Sequence, residues 1–253
     1  MSHLCIEFTS LIAEAIGLPS TAFDRFFDED QQHKVKIIRY PDLNELGIPV
    51  SSDETDIQGV GPHKDSMLTT YLLQASHHRG LQAQNLRGEW IDCSPKPGTL
   101  VVAIGQGLEA VTHGVCASTT HRVLSPARGT GSRYSIPFFQ GVSYDATFDA
   151  VEVPDEVREE KRKWLESVGG ERRDDVEFTF KKGRFNHLGE ATLWNRCKSH
   201  GDVAERWYPE IWKRILEERA ELAAKEKGNV DGQAKEKEGL KSGEAADTAI
   251  QAH

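Results

Sequence analysis

Between residues 34 and 142, short apolar runs alternate with clusters of Gly, Pro, Asn and Asp. Examples are Met67-Leu68-Thr69-Thr70-Tyr71-Leu72-Leu73, Leu100-Val101-Val102-Ala103-Ile104 and Ile136-Pro137-Phe138-Phe139. Apolar runs of strand length, bounded by turn formers and repeated many times, predict a sandwich or barrel of antiparallel strands. The flanks are patterned differently. From Leu4 to Phe27 the apolar residues Leu4, Phe8, Leu11, Ile12, Ala15 and Ile16 recur at helical spacing until Gly17 interrupts, which predicts an amphipathic helix. A charged helix is expected between Pro154 and Val168. Leu188 to Leu222 reads as mainly helical, with Trp194, Trp207 and Trp212 as anchors against the sheet. From Lys225 onward only Val230, Leu240 and Ile250 are large and apolar. Such a segment cannot bury enough surface to offset its ordering entropy, so a disordered tail is expected. The division predicted is therefore an N-terminal helical segment (1–33), a β core (34–145), a helical region packing on that core (146–224) and a charged tail (225–253).

Composition narrows the class. The chain has 253 residues, enough for one well-buried domain with additions. A formal charge of −9 gives no electrostatic footprint for nucleic acid. No apolar stretch is long enough to span a bilayer, and the N-terminus lacks a signal peptide's basic region and cleavage site. Cys5, Cys93, Cys116 and Cys197 are scattered without CxxC spacing, which indicates neither a disulfide framework nor a zinc site. A reducing, cytoplasmic setting fits this usage.

The candidate chemistry begins at His63-Lys64-Asp65 and His121. Two imidazoles and a carboxylate form the facial ligand set of non-haem ferrous centres, which leaves coordination positions open for oxygen chemistry. On a strand, residues i and i+2 share a face, so His63 and Asp65 can meet one metal while Lys64 points away. His121 must then come from another strand. Alone, a short motif in a chain with ten histidines is a weak signal. Arg133 and Ser135 also share a strand face, at the head of an apolar run. A guanidinium offers a carboxylate two parallel charge-assisted bonds, and Ser adds a neutral donor. Tyr40, in Lys36-Ile37-Ile38-Arg39-Tyr40-Pro41, suits packing as readily as binding. His77-His78 and His113 are read as loop histidines. Asp28-Glu29-Asp30 is read as a helix-end or solvated run, because a calcium loop's ligand spacing is absent.

Taken in order, Gly59-Val60-Gly61-Pro62, the HxD tripeptide, Gly80 to Asn85, Pro97 to Gly105, His121 to Pro126 and Arg133 to Phe139 resemble the C-terminal oxygenase domain of the iron- and 2-oxoglutarate-dependent dioxygenases. The branch it resembles is the isopenicillin N synthase-like one, in its fungal form. The resemblance is strong over residues 35–145 and looser on both sides. It implies a mainly β fold with flanking helices around a double-stranded β-helix (jelly-roll) core. It further implies Fe(II) bound by His63, Asp65 and His121, 2-oxoglutarate held through its far carboxylate by Arg133 and Ser135 with Tyr40 assisting, and O₂ as co-substrate. The implied reaction is hydroxylation, desaturation or ring closure of a small organic molecule in secondary metabolism. Two alternatives stand beside it. Isopenicillin N synthase itself has a similar Arg-Tyr-Pro segment and Arg-x-Ser, uses them on its substrate's carboxylate, and takes no 2-oxoglutarate. A non-catalytic relative acting as a binding protein is the other. Members of the family carry a longer N-terminal region, whereas this chain begins near the helix that links it to the core. An exposed sheet edge and apolar surface, open to self-association, are expected from that. Ala103 stands where many relatives have Asn, and Asp42 follows Tyr40-Pro41 where plant members have a second Pro.

Overall fold

Strands dominate the middle of the chain, as the punctuation of its apolar runs predicts. The structure, a computed structural model, describes residues 1–27, 31–49, 57–147, 151–169, 180 and 184–221. The expected tail and the run Asp28-Glu29-Asp30 lie outside the described residues. The described residues divide into two compact units between Leu193 and Trp194.

In the first unit the strands are β1 (Lys34–Val35), β2 (Ile38–Tyr40), β3 (Gln58–His63), β4 (Thr69–Gln74), β5 (Leu81–Gln84), β6 (Trp90–Asp92), β7 (Val101–Ile104), β8 (His121–Leu124) and β9 (Arg133–Gln140). They form two antiparallel sheets. One runs β1-β9-β4-β7 with β2 also on β9, and the other runs β3-β8-β5-β6. This non-sequential order, with β9 paired back onto β1, β2 and β4, is the rolled topology of a double-stranded β-helix. Alternation along β4 and β9 divides the first sheet's two faces. Thr70, Leu72, Arg133, Ser135, Pro137 and Phe139 line an internal cavity. Tyr71 and Phe138 instead join a core cluster with Cys5 of helix α1 (Ser2–Ala15) and with Phe8.

Helix α1 departs from its prediction in two ways. It does not reach Phe27. Leu18 N–H donates to Ala13 O (2.9 Å) and Gly17 N–H to Glu14 O (3.0 Å), with Gly17 at φ +77°. Those paired bonds around a left-handed glycine end the helix, and turns lead to a short 3₁₀ segment at Asp24–Phe26. The buried face also differs. Cys5, Thr9 and Ala13 are buried, while Leu4 and Leu11 are 42% and 59% exposed. Small side chains let the helix backbone approach the sheet, and the large aliphatic ones rotate outward. Phe8 meets Tyr71 edge-on, with ring centroids 5.9 Å apart. A buried polar network ties the same surfaces together. Gln140 Nε2 donates to Thr9 Oγ1 (3.0 Å), Thr9 Oγ1 to Cys5 O (2.6 Å), and Thr69 Oγ1 to Gln140 Oε1. At the β1–β2 edge of this sheet Val35 and Ile37 are exposed.

The remaining helices are α2 (Gln106–Val111), α3 (Asp155–Ser167), α4 (Leu188–Ser199), which contributes to both units, and α5 (Gly201–Trp207), with residues 209–221 also helical. Helix α3 matches the predicted charged helix. Within the second unit Trp194 is buried, with the Arg214 guanidinium over its ring at 5.0 Å, and Trp212 packs on Gly201. Trp207, expected as an anchor, is instead 65% exposed, with only the Arg206 guanidinium recorded over its ring among the described residues. No described helix is long and apolar enough to cross a membrane. All four cysteines are free thiols.

Candidate metal centre and carboxylate pocket

The cavity between the two sheets has a volume of about 360 Å³ and an apolar lining interrupted by a few polar groups. Apart from Lys36, the charged and histidine groups fall into two clusters, one built on β3, β8 and the segment after β3, the other on β2 and β9.

His63 closes β3 and His121 opens β8, and the two are register partners in an antiparallel ladder. Their rings lie 4.2 Å apart, centroid to centroid. Each imidazole is fixed from its own strand. His63 Nδ1 sits 2.9 Å from Gly61 O, and His121 Nδ1 sits 3.0 Å from Thr119 O. A carbonyl can only accept, so each Nδ1 carries the proton and each Nε2 presents a lone pair. Both Nε2 atoms face Asp65 Oδ1, at 3.7 and 3.9 Å. Those gaps are too long for hydrogen bonds, yet no wider than two metal–ligand bonds of about 2.1 Å laid end to end. The ligand atoms of the three residues all lie within 4.8 Å of one another, the one such group among the described residues. Burial holds the His63 imidazole below its ordinary pKa, and His121 and Lys36 act in the same direction against Asp65. A neutral imidazole is the form that binds metal.

Asp65 reaches this position differently from the strand alternation expected of it. β3 ends at His63, and Asp65 lies in the following turn. Lys64 is buried as well. The carboxylate is held from the other sheet, where Thr70 Oγ1 donates to Oδ2 at 2.5 Å and leaves Oδ1 to the histidines. The backbone is held too, by Gln106 N–H donating to Asp65 O at 2.8 Å. Gly105 makes that approach feasible. A Cβ there would stand 1.9 Å from Met67 O, so only glycine lets the start of α2 close against this turn.

At the second cluster Tyr40 and Arg133 are register partners between β2 and β9, and Ser135 pairs with Ile38 two residues along. Arg133 is wholly buried. Its guanidinium lies 5.0 Å from the centroid of the Tyr40 ring, and Nη2 donates to Gln74 Oε1 at 3.2 Å. Nε and Nη1 are buried without a hydrogen-bond partner. Burial pushes the Arg133 pKa down, and Tyr40 offsets this in part. A guanidinium stays charged in proteins, so a buried fork with two orphaned donors calls for an anion. The donor sets therefore fit a ferrous ion at one cluster and a carboxylate at the other.

All six residues singled out in the sequence line one cavity. Thr70 and Gln74 were not legible there, because a Thr or Gln within a strand carries no mark of which way it faces. Of the two departures noted above, Ala103 lines the cavity. Asp42 serves the backbone instead, accepting from the N–H groups of Asn44, Glu45 and Gly131, which hold its carboxyl below the usual range. His77 is exposed, and His78 is tied to Thr130 O. His113 is exposed in the turn after α2.

Residues 32–142 match the sequence profile of the 2OG-Fe(II) oxygenase superfamily. The chain is 66% identical over 223 residues to "2-oxoglutarate-dependent dioxygenase frbJ" of Dothideomycetidae sp. (strain 11243), covering 87% of this chain and 59% of that protein. It is 36% identical over 229 residues to a "2-oxoglutarate-dependent dioxygenase" of Gibberella zeae, covering 85% of this chain and 57% of that one. The chain thus spans under two thirds of the length of these curated relatives. Among solved structures it resembles a full-length Neurospora crassa protein crystallised in complex with alpha-KG, with a TM-score of 0.52 and 28% identity over 59% of this chain and 49% of that one.

Proposed function

We propose that this chain, which belongs to the 2OG-Fe(II) oxygenase superfamily, acts as a non-haem Fe(II)- and 2-oxoglutarate-dependent dioxygenase on a small organic molecule. In this reading His63, Asp65 and His121 hold Fe(II), and Arg133, Ser135 and Tyr40 hold the far carboxylate of 2-oxoglutarate. The observation that carries it is the buried Arg133, with two orphaned donors, in the same cavity as an aligned His-Asp-His set.

Ferrous iron, with 2-oxoglutarate and O₂, supplies the oxidising chemistry that attacks a substrate C–H bond. The chain's part is binding and orientation. The carbonyls of Gly61 and Thr119 hold the histidine tautomers, Thr70 keeps one carboxylate oxygen of Asp65 turned inward, and Arg133 sets the keto acid's direction. Leu72, Leu81, Val101 and Val123 give the cavity an apolar lining that suits the body of an organic substrate. Hydroxylation is the outcome expected, with desaturation or ring closure open to the same site. Similarity to two fungal proteins named 2-oxoglutarate-dependent dioxygenases favours the keto-acid enzyme over a keto-acid-free oxidase and over a non-catalytic binder. A place in secondary metabolism belongs to the same reading. Free thiols and a ferrous ion suit a reducing, cytoplasmic setting.

The test is an anaerobic titration with Fe(II) and then 2-oxoglutarate, following the visible charge-transfer band of the chelate. The band is expected in wild type and absent in His63→Ala. Bound iron without a band would point to the keto-acid-free oxidase, and failure to bind iron would overturn the reading.

A further inference from the structure

Lys36 is a cation that the metal and keto-acid sites leave unused. Residues 35–40 alternate strictly. Lys36, Ile38 and Tyr40 line the cavity, while Val35 and Ile37 are 57% and 80% exposed and Arg39 turns out to an ion pair with Glu45. Lys36 is also fixed by its backbone, whose N–H donates to Pro137 O at 3.1 Å. The wall of β2 and β9 thus bears a cationic residue toward each end, their backbone positions roughly 13 Å apart at the rise of a strand. Arg133 pairs with Tyr40 at one end. Lys36 stands at the other, in the lining of the same cavity as His63. Its ammonium has no ion-pair partner among the described residues.

Charge balance indicates what such a group is for. The two positive charges of a ferrous ion and the one on Arg133 match the single charge of Asp65 and the two of 2-oxoglutarate. Among the described charged groups lining the cavity, Lys36 is the one left unmatched. A monoanion balances it, which favours a carboxylate over a dianionic phosphate. We propose that Lys36 is a specificity-determining residue that binds a carboxylate of the organic substrate, so that the enzyme acts on carboxylic acids rather than neutral molecules. This rests on the dioxygenase reading above. The competing role for a lysine here is to pack its alkyl stem on the apolar wall and leave the ammonium in water.

Anaerobic equilibrium dialysis of the Fe(II)- and 2-oxoglutarate-loaded chain separates the two. The probes are phenylacetate, hexanoate and N-acetylleucinate, each paired with its primary amide, and 2-oxoglutarate retention is measured in the same cells. At least one acid is expected to bind about tenfold or more tighter than its amide, the effect of one charge-assisted hydrogen bond. Lys36→Gln is expected to abolish that preference and Lys36→Arg to keep part of it, both with unchanged 2-oxoglutarate retention. No preference in wild type, or a preference that survives Lys36→Gln, overturns the proposal while leaving the dioxygenase reading intact. Loss of 2-oxoglutarate in Lys36→Gln alone would assign Lys36 to the keto acid and overturn it as well. Failure of wild type to retain 2-oxoglutarate would overturn the dioxygenase reading, and this proposal with it.

Discussion

The sheet that carries β9 buries polar groups on both of its faces, and they are treated in opposite ways. Toward α1, Gln140, Thr9 and Thr69 satisfy one another in a closed network. Toward the cavity, Arg133 is buried just as deeply yet has partners for only part of its guanidinium. Neither arrangement is apolar, so burial of polarity does not by itself mark a site. The difference lies in completeness. A satisfied buried network specifies how two surfaces fit, whereas unsatisfied buried donors call for a further explanation, of which a bound anion is the one proposed above.

This contrast can be broken from either side. The largest effect is expected from Asp65→Ala, which removes the anionic member of the triad. Stoichiometric Fe(II) binding, measured by metal analysis after gel filtration, should be lost. Next, Arg133→Met should weaken 2-oxoglutarate binding by about a hundredfold or more, as expected on removing one partner of a buried charge pair. The same change removes an orphaned cation, so the thermal midpoint without 2-oxoglutarate should stay level or rise. A clear fall would show that Arg133 is a structural residue. Thr70→Val should lower Fe(II) affinity about ten- to a hundredfold, the usual scale for losing a group that orients a ligand. Intact Fe(II) affinity would show that the Thr70 bond does not set the carboxylate. Gln140→Leu should act in the opposite sense to Arg133→Met. It should cost about 1–3 kcal/mol in a denaturant melt by stranding buried hydroxyls, with 2-oxoglutarate affinity untouched.

Much of this was legible beforehand, and for identifiable reasons. Strands announce themselves through turn formers, and the triad and Arg-x-Ser through residue types with few other uses in that order. The face of α1 was misread because apolar recurrence gives weight to large residues such as Leu4 and Leu11. The sheet instead accepts the small Cys5, Thr9 and Ala13. Asp65 does lie beside His63 and His121, but not by strand alternation, since β3 ends two residues earlier and Thr70 holds the carboxylate. Thr70, Gln74 and Lys36 stayed hidden because their roles depend on strand register and on which face is enclosed. Both are set by pairing partners far along the chain.

The bond from Thr70 to Asp65 has a mechanical consequence. His63 and His121 belong to one sheet, whereas the carboxylate opposite them is gripped by the other. A single ion bridging the three would therefore act as a clasp across the two halves of the roll, closing where the backbone itself runs only through a short turn. Loading the metal should slow amide exchange in β4 and β8 together, even though those strands share no ladder.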